Sequence, residues 1–140
     1  MTKYLDRLQP LALLALRLVL AAVMISHGSQ KIFGGMPRFQ TMVTGIGFPA
    51  WMAYLSAAAE FGGGILVLVG LLTRCAAFAI VIDLMVAIVK IHWKAGLRGP
   101  GGYEHAMSVA VIAFALIFFG AGPISLDTVF RGRGTVDRGR

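Results

Sequence analysis

The sequence predicts an all-α fold: a polytopic membrane four-helix bundle with both termini cytoplasmic. Three observations predict it. Four apolar runs approach the roughly 20 residues needed to cross the hydrocarbon core of a bilayer. Lysines and arginines gather mostly between and beside those runs, as in membrane proteins. The runs are continuous rather than alternating, which argues against a membrane β-barrel. Composition agrees, with 58% hydrophobic and 14% charged residues and a mean hydropathy of +0.81. An ordinary soluble domain is roughly 25% charged.

The first span is expected over about 10–33, with Pro10 in its first helical turn. Lys3 and Arg7 ahead of Leu11 to Ile25 resemble a signal peptide. Arg17 inside that core, and the lack of a small-x-small site before Gln30, favour an uncleaved span instead. The second span is expected over 49–72, the third over 75–93 and the fourth over 103–120. Thr73-Arg74 is so short a connection that spans two and three form an antiparallel hairpin. Gly34-Gly35 and Gly45-Ile46-Gly47 mark the first long loop, and Gly96 to Gly102 the third. One domain over 1–130 and a basic, flexible tail over 131–140 follow from this division. The terminal side carries Lys3, Arg7, Arg74, Arg131, Arg133, Arg138 and Arg140, the other side Lys31, Arg38, Lys90, Lys94 and Arg98. That bias places the termini in the cytoplasm. A pI near 10.4 raises nucleic acid as a partner, but no basic patch with interleaved aromatics supports one. Cys75, the single cysteine, forms no internal disulfide or CxxC pair.

Arg17, Glu60 and Asp83 each interrupt an apolar run. An ionisable side chain at membrane depth is costly unless it faces protein or water and finds a partner, so it marks a functional site by default. Arg17 and Asp83 lie at similar depth, on the order of 10–12 Å from the cytoplasmic ends, with Glu60 deeper. An Arg17 fork between the two carboxylates is one expectation, either as a site or as a registry device for helix packing. His27 and Lys31 share one side of the first helix, and Lys31 lies two heptads beyond Arg17. Asp83 and Lys90 share a stripe, and Glu104 and His105 open the fourth span at the same outer level. The candidate ligand-binding set is therefore Arg17, His27, Lys31, Glu60, Lys90 and Glu104, with Glu60 and Asp83 as candidate proton relays. Lys31 and Lys90 also fit snorkelling anchors. Ala58/Gly62 and Ala59/Gly63 form small-xxx-small pairs that suit close helix packing or leave room for a flat ligand.

Leu16-Arg17-Leu18, the run from His27 to Gly34, and Glu60-Phe61-Gly62-Gly63-Gly64 with Gly70-Leu71-Leu72-Thr73-Arg74 resemble motifs of bacterial DoxX-type membrane proteins. Gly102-Tyr103-Glu104 and the run from Gly122 to Asp127 are similar to that family's fourth-helix boundaries. The resemblance extends nearly to Phe130. It implies a four-helix protein of the bacterial inner membrane linked to redox processes, and the related DoxD is a subunit of a thiosulfate:quinone oxidoreductase.

Two functions compete. In the first, the chain is a membrane subunit of a redox-linked complex with a polar pocket for a quinone or similar small molecule. His27 and Lys31 donate hydrogen bonds, and Glu60 or Asp83 relays protons. Since no cysteine cluster or dinucleotide fingerprint is present to supply electrons, a redox partner protein is implied. In the second, the chain is a non-enzymatic scaffold or a small-solute or ion transporter, the latter as a homo-oligomer. A metal or haem site is a third reading. His27, His92 and His105 lie in the outer half but lack ligand-like spacing, so no metal site is assigned.

Overall fold

The computed structural model describes residues 2–130, and the tail expected over 131–140 lies outside them. Among the described residues there are five α-helices: α1 (Thr2–Gln30), α2 (Met36–Gly45), α3 (Met52–Val69), α4 (Thr73–Ala87) and α5 (Glu104–Phe119). No strand occurs among them. Three stretches are long and apolar enough to cross a membrane: 5–45 taken across a break, Met52–Val69 and Thr73–Ala95. Glu104–Phe119 is apolar but shorter.

Two elements depart from the sequence reading. Helix α1 begins at Thr2, so Pro10 sits inside it rather than in its first turn. There the ring leaves the Asp6 carbonyl without its usual intrahelical donor. The loop expected from Gly34 to Gly47 is largely helix α2. Its apolar Met36, Phe39 and Val43 recur at helical spacing, and Pro37 fits the first turn. Between α1 and α2 the chain widens into a π-type turn over Lys31–Gly35 and breaks at Phe33 (φ −93°, ψ 35°) and Gly34 (φ 143°, ψ −15°). A side chain at Gly34 would be strained by that φ although nothing crowds it.

Helix α1 packs on α3, α3 on α4, α4 on α5, and α5 back on α1, while α2 crosses α3. Leu20, Ala21, Met24, Val67, Ala77, Ile80, Ala113 and Leu116 fill the space between them. Large apolar side chains such as Leu18, Phe78, Phe114 and Phe118 face outward. Small residues set the helix spacing. A Cβ on Gly28 would stand 2.5 Å from the Phe61 nitrogen, and one on Gly64 would stand 2.9 Å from Ile25. Gly63 faces Ile80 in the same way, whereas Gly62 faces open space. Close backbone approach is thus the role of Gly28, Gly63 and Gly64.

Arg17 does not join Glu60 and Asp83. It is 1% exposed, and its guanidinium is bound by main-chain carbonyls alone. Nε donates to the Val67 carbonyl (2.9 Å), Nη2 to Leu68 (2.8 Å), and Nη1 to Ala121 (3.0 Å) and Ile124 (2.6 Å). Val67 and Leu68 are among the last residues of α3, where i+4 amide donors run out and the carbonyls carry partial negative charge; Val67 also accepts the Gly70 amide (3.2 Å). Glu60 is seven residues earlier, about 10 Å along the axis, out of reach. Asp127 completes this end. Its carboxylate accepts the Leu72 (2.8 Å) and Thr73 (3.1 Å) amides that open α4, and its own amide donates to the Gly70 carbonyl (2.8 Å). Gly70 ends α3 at φ 71°, and its absent Cβ would stand 2.5 Å from Arg17 Nη2. Arg74 Nη2 donates to the Phe118 carbonyl near the end of α5 (3.1 Å).

Gly70→Ala, which adds both backbone strain and a clash with the guanidinium, is expected to destabilise the protein by about 2 kcal/mol or more. Arg17→Lys, which keeps the charge but not the fork, should cost at least about as much. Unfolding of the detergent-solubilised variants, followed by circular dichroism, checks both; wild-type stability for either would refute this account of the latch.

Candidate functional site

At the opposite end of the helices, α3 presents Ser56 and Glu60 one turn apart on the same face. Lys31, the first residue of the wide turn after α1, reaches across to them. Its Nζ lies 2.7 Å from Glu60 Oε2 and 3.3 Å from Ser56 Oγ. The ammonium also sits 4.0 Å from the centre of the Phe39 ring on α2, a cation–π contact. Glu60 is 4% exposed. From α4, Asp83 lines the same cavity as Ser56 and Glu60. One ammonium and two carboxylates therefore border one small space, and the set is neutral when it also holds one exchangeable proton.

A cavity of about 290 Å³ opens beside this group. Phe39, Phe48, Met52, Leu55, Ile82 and Val86 supply apolar walls, and Lys31, Ser56, Glu60 and Asp83 gather the polar atoms. A second cleft, also about 290 Å³, lies on the other side of the Lys31–Glu60 pair. His27, His92 and His105 line it. The His27 and His105 rings stack with centroids 5.8 Å apart and planes 19° from parallel. His92 Nδ1 lies 2.7 Å from the Gly101 carbonyl, which makes that nitrogen the protonated one. The same loop is closed by stacking of Trp93 on Tyr103, 5.6 Å between centroids.

Of the residues expected from the sequence, His27, Lys31, Glu60 and Asp83 come together around these two spaces. Arg17 is at the far end, held by carbonyls. Lys90 is exposed, with Nζ 5.6 Å from the centre of the Phe48 ring. Glu104 is exposed in an outer groove with His105. Ser56 and Phe39 were not anticipated. Ser56 was legible as the residue one helical turn before Glu60. Phe39 was legible in the apolar spacing of 36–43, had that stretch been read as helix.

Apolar helices with exposed hydrocarbon faces and a charged interior at one end define an integral membrane protein. Residues 12–93 match the DoxX family, and the chain belongs to it. A Bacillus subtilis (strain 168) protein named "Putative oxidoreductase CatD" is 34% identical over 121 residues, covering 86% of this chain and 88% of its own. A Haemophilus influenzae protein, described only as uncharacterized, is 32% identical over 134 residues, covering 90% of this chain and 96% of its own. An uncharacterized membrane protein of Mycobacterium tuberculosis is 34% identical over 143 residues, covering 90% of this chain and 85% of its own. No solved structure matches.

Lys31→Met removes the cation and leaves two carboxylates facing each other, with an expected cost of about 3–5 kcal/mol. Adding Glu60→Gln should recover at least about 1 kcal/mol of that loss. Unfolding midpoints of the two variants in detergent measure the coupling, and additive effects would disprove it.

Proposed function

We propose that this chain is a four-span bundle of the bacterial inner membrane, a single domain over 1–130 with both termini cytoplasmic. We further propose that it binds a quinone, or a similarly flat carbonyl-bearing molecule, as the membrane subunit of a redox-linked complex. The supporting observation is the cavity beside Lys31 and Glu60: apolar walls, polar atoms at one end, and a volume of about 290 Å³. That is close to the lower end of the range of roughly 300–1,000 Å³ for small-ligand pockets. A relative carries the name of an oxidoreductase, and the bias of lysine and arginine supports the orientation.

A quinone, when bound, supplies two-electron chemistry, taking up two electrons and two protons to become a quinol. The residues present suit the protein's share of that work. The Lys31 ammonium and Ser56 hydroxyl are donors for a ring oxygen. Phe39 and Phe48 offer flat apolar surfaces to the ring, and Val86 and Ile82 keep water from it. Glu60 and Asp83 store the proton that moves to the ligand oxygen, a role for which Lys31 keeps Glu60 in place. Electrons come from a partner protein, since the chain has one cysteine and no dinucleotide fingerprint. Arg17 is not part of this site and acts on the fold alone.

Glu60→Gln keeps the shape of the side chain and removes its proton chemistry. It should lower quinone-linked turnover by about 100-fold while the protein still accumulates in membranes. Phe39→Ala should weaken binding of a short-chain ubiquinone analogue by about tenfold, measured by equilibrium dialysis against protein in nanodiscs. Unchanged turnover and unchanged affinity would sink the proposal. Solute uptake into liposomes by the purified protein, with no redox partner present, would assign the transporter reading instead.

A further inference from the structure

Three spaces adjoin one another through shared walls. The first is an outer groove of about 380 Å³ containing Glu104, His105 and Ser108. The second is the cleft of about 290 Å³, and His105 lines both it and the groove. The third is the apolar cavity, and Lys31 and Glu60 line both it and the cleft. Gly102 also lines the groove and the cleft, and Phe39, Ala87 and Ile91 also line the cleft and the cavity, so each junction includes, among other residues, a titratable side chain. All 3 histidines of the chain border the middle space, while the walls of the cavity beyond it are mostly apolar.

We propose that the histidine cleft is the proton port of the cavity, carrying protons from the outer groove through His105 and His27 to Glu60. The inference deepens the reading of the cavity as a site where a ligand takes up protons, and it rests on that reading.

The geometry assigns distinct parts to the three imidazoles. His27 and His105 are exposed and stack nearly parallel, so their ring nitrogens lie at the rims and no direct N–H···N bond joins them. On this proposal a proton crosses between them by way of water in the cleft that both rings line. Neutral imidazole accepts a proton on one nitrogen and releases one from the other, which is what a relay needs. His92 differs. Its Nδ1–H is held by the Gly101 carbonyl, leaving Nε2 as the only acceptor. It can store a proton but must return the same one, so it stands beside the route. The charged groups facing the stack are Lys31 from the end of α1, Glu60 from α3 and Glu104 at the start of α5. The Lys31 ammonium opposes a second positive charge in the cleft and favours onward transfer to the carboxylate.

The transfers balance. An imidazolium gives its proton by way of water to the Glu60 carboxylate, which becomes a carboxyl group, and the imidazole returns to neutral. The carboxyl then passes that proton to the ligand oxygen. Two such passages accompany the two electrons supplied by the partner protein.

The test needs no ligand. The full chain in lipid nanodiscs is subjected to a rapid drop in pH, and the infrared carboxylic C=O band that Glu60→Gln removes is followed in time. The H27Q/H105Q double variant is expected to slow the rise of that band by about tenfold or more, and added imidazole to restore most of the rate. A stack that only packs α1 against α5 would not respond to imidazole. If the double variant does not insert, His27→Gln and His105→Gln are measured singly, each expected to slow the rise by at least about threefold. Wild-type rates in the variants, slowing without rescue, or the absence of any band sensitive to Glu60→Gln would each overturn the port. With no quinone present, failure here is separable from failure of the quinone reading, which the dialysis experiment tests alone.

Discussion

A buried guanidinium has five donors and no acceptor, so a fold that encloses one must bring oxygens to it from several directions. Arg17 meets that demand with carbonyls from the last turn of α3 and from the chain after α5. In doing so it ties α1, the end of α3 and the chain after α5 to one point. The carbonyls gain as much as the cation does, since helix ends leave acceptors unsatisfied and membrane interiors offer no water to fill them. Asp127 treats the start of α4 in the complementary way, supplying oxygens to free amides. Together the two residues neutralise the helix ends where three segments converge.

With that end closed by structural contacts, the polar groups at the other end are released from holding the helices together. Lys31 and Glu60 form an ion pair, yet both border open space on two sides. The contrast separates the charges of this protein into two kinds. Those near Gly70 are bound by main chain, Arg17 buried and Asp127 half-buried. Those near Lys31 are paired by side chains that can exchange partners, and α2 covers them with an aromatic ring rather than with a helix end.

The helices were legible in the sequence because apolar runs of membrane length leave the backbone few choices. Glu60 and Lys31 are legible as charges in such runs, but the sequence groups Glu60 with Arg17 and Asp83 and Lys31 with His27, so the Lys31–Glu60 pair is a finding of the structure. Arg17 suggests itself as a partner of Glu60 and Asp83 because a carboxylate is the commonest mate of a buried arginine. Nothing in the sequence marks main-chain carbonyls as acceptors, so the actual partners were invisible there. Helix α2 was missed since glycines at both ends announced a loop, and only the spacing of Met36, Phe39 and Val43 argued otherwise. The histidine stack joins residues 78 positions apart (105 − 27), a proximity that no local pattern encodes.

The same Arg17 contacts have a bearing on how the chain is made. Ala121 and Ile124 are separated from Arg17 by 104 and 107 residues, so α2 to α5 are all synthesised before those acceptors exist. Until then the first helix waits in the bilayer with part of its guanidinium unmet, held only by its neighbours. The Arg17 contacts therefore close only after α5 has been made, and a polypeptide cut short before Ala121 lacks the means to complete them.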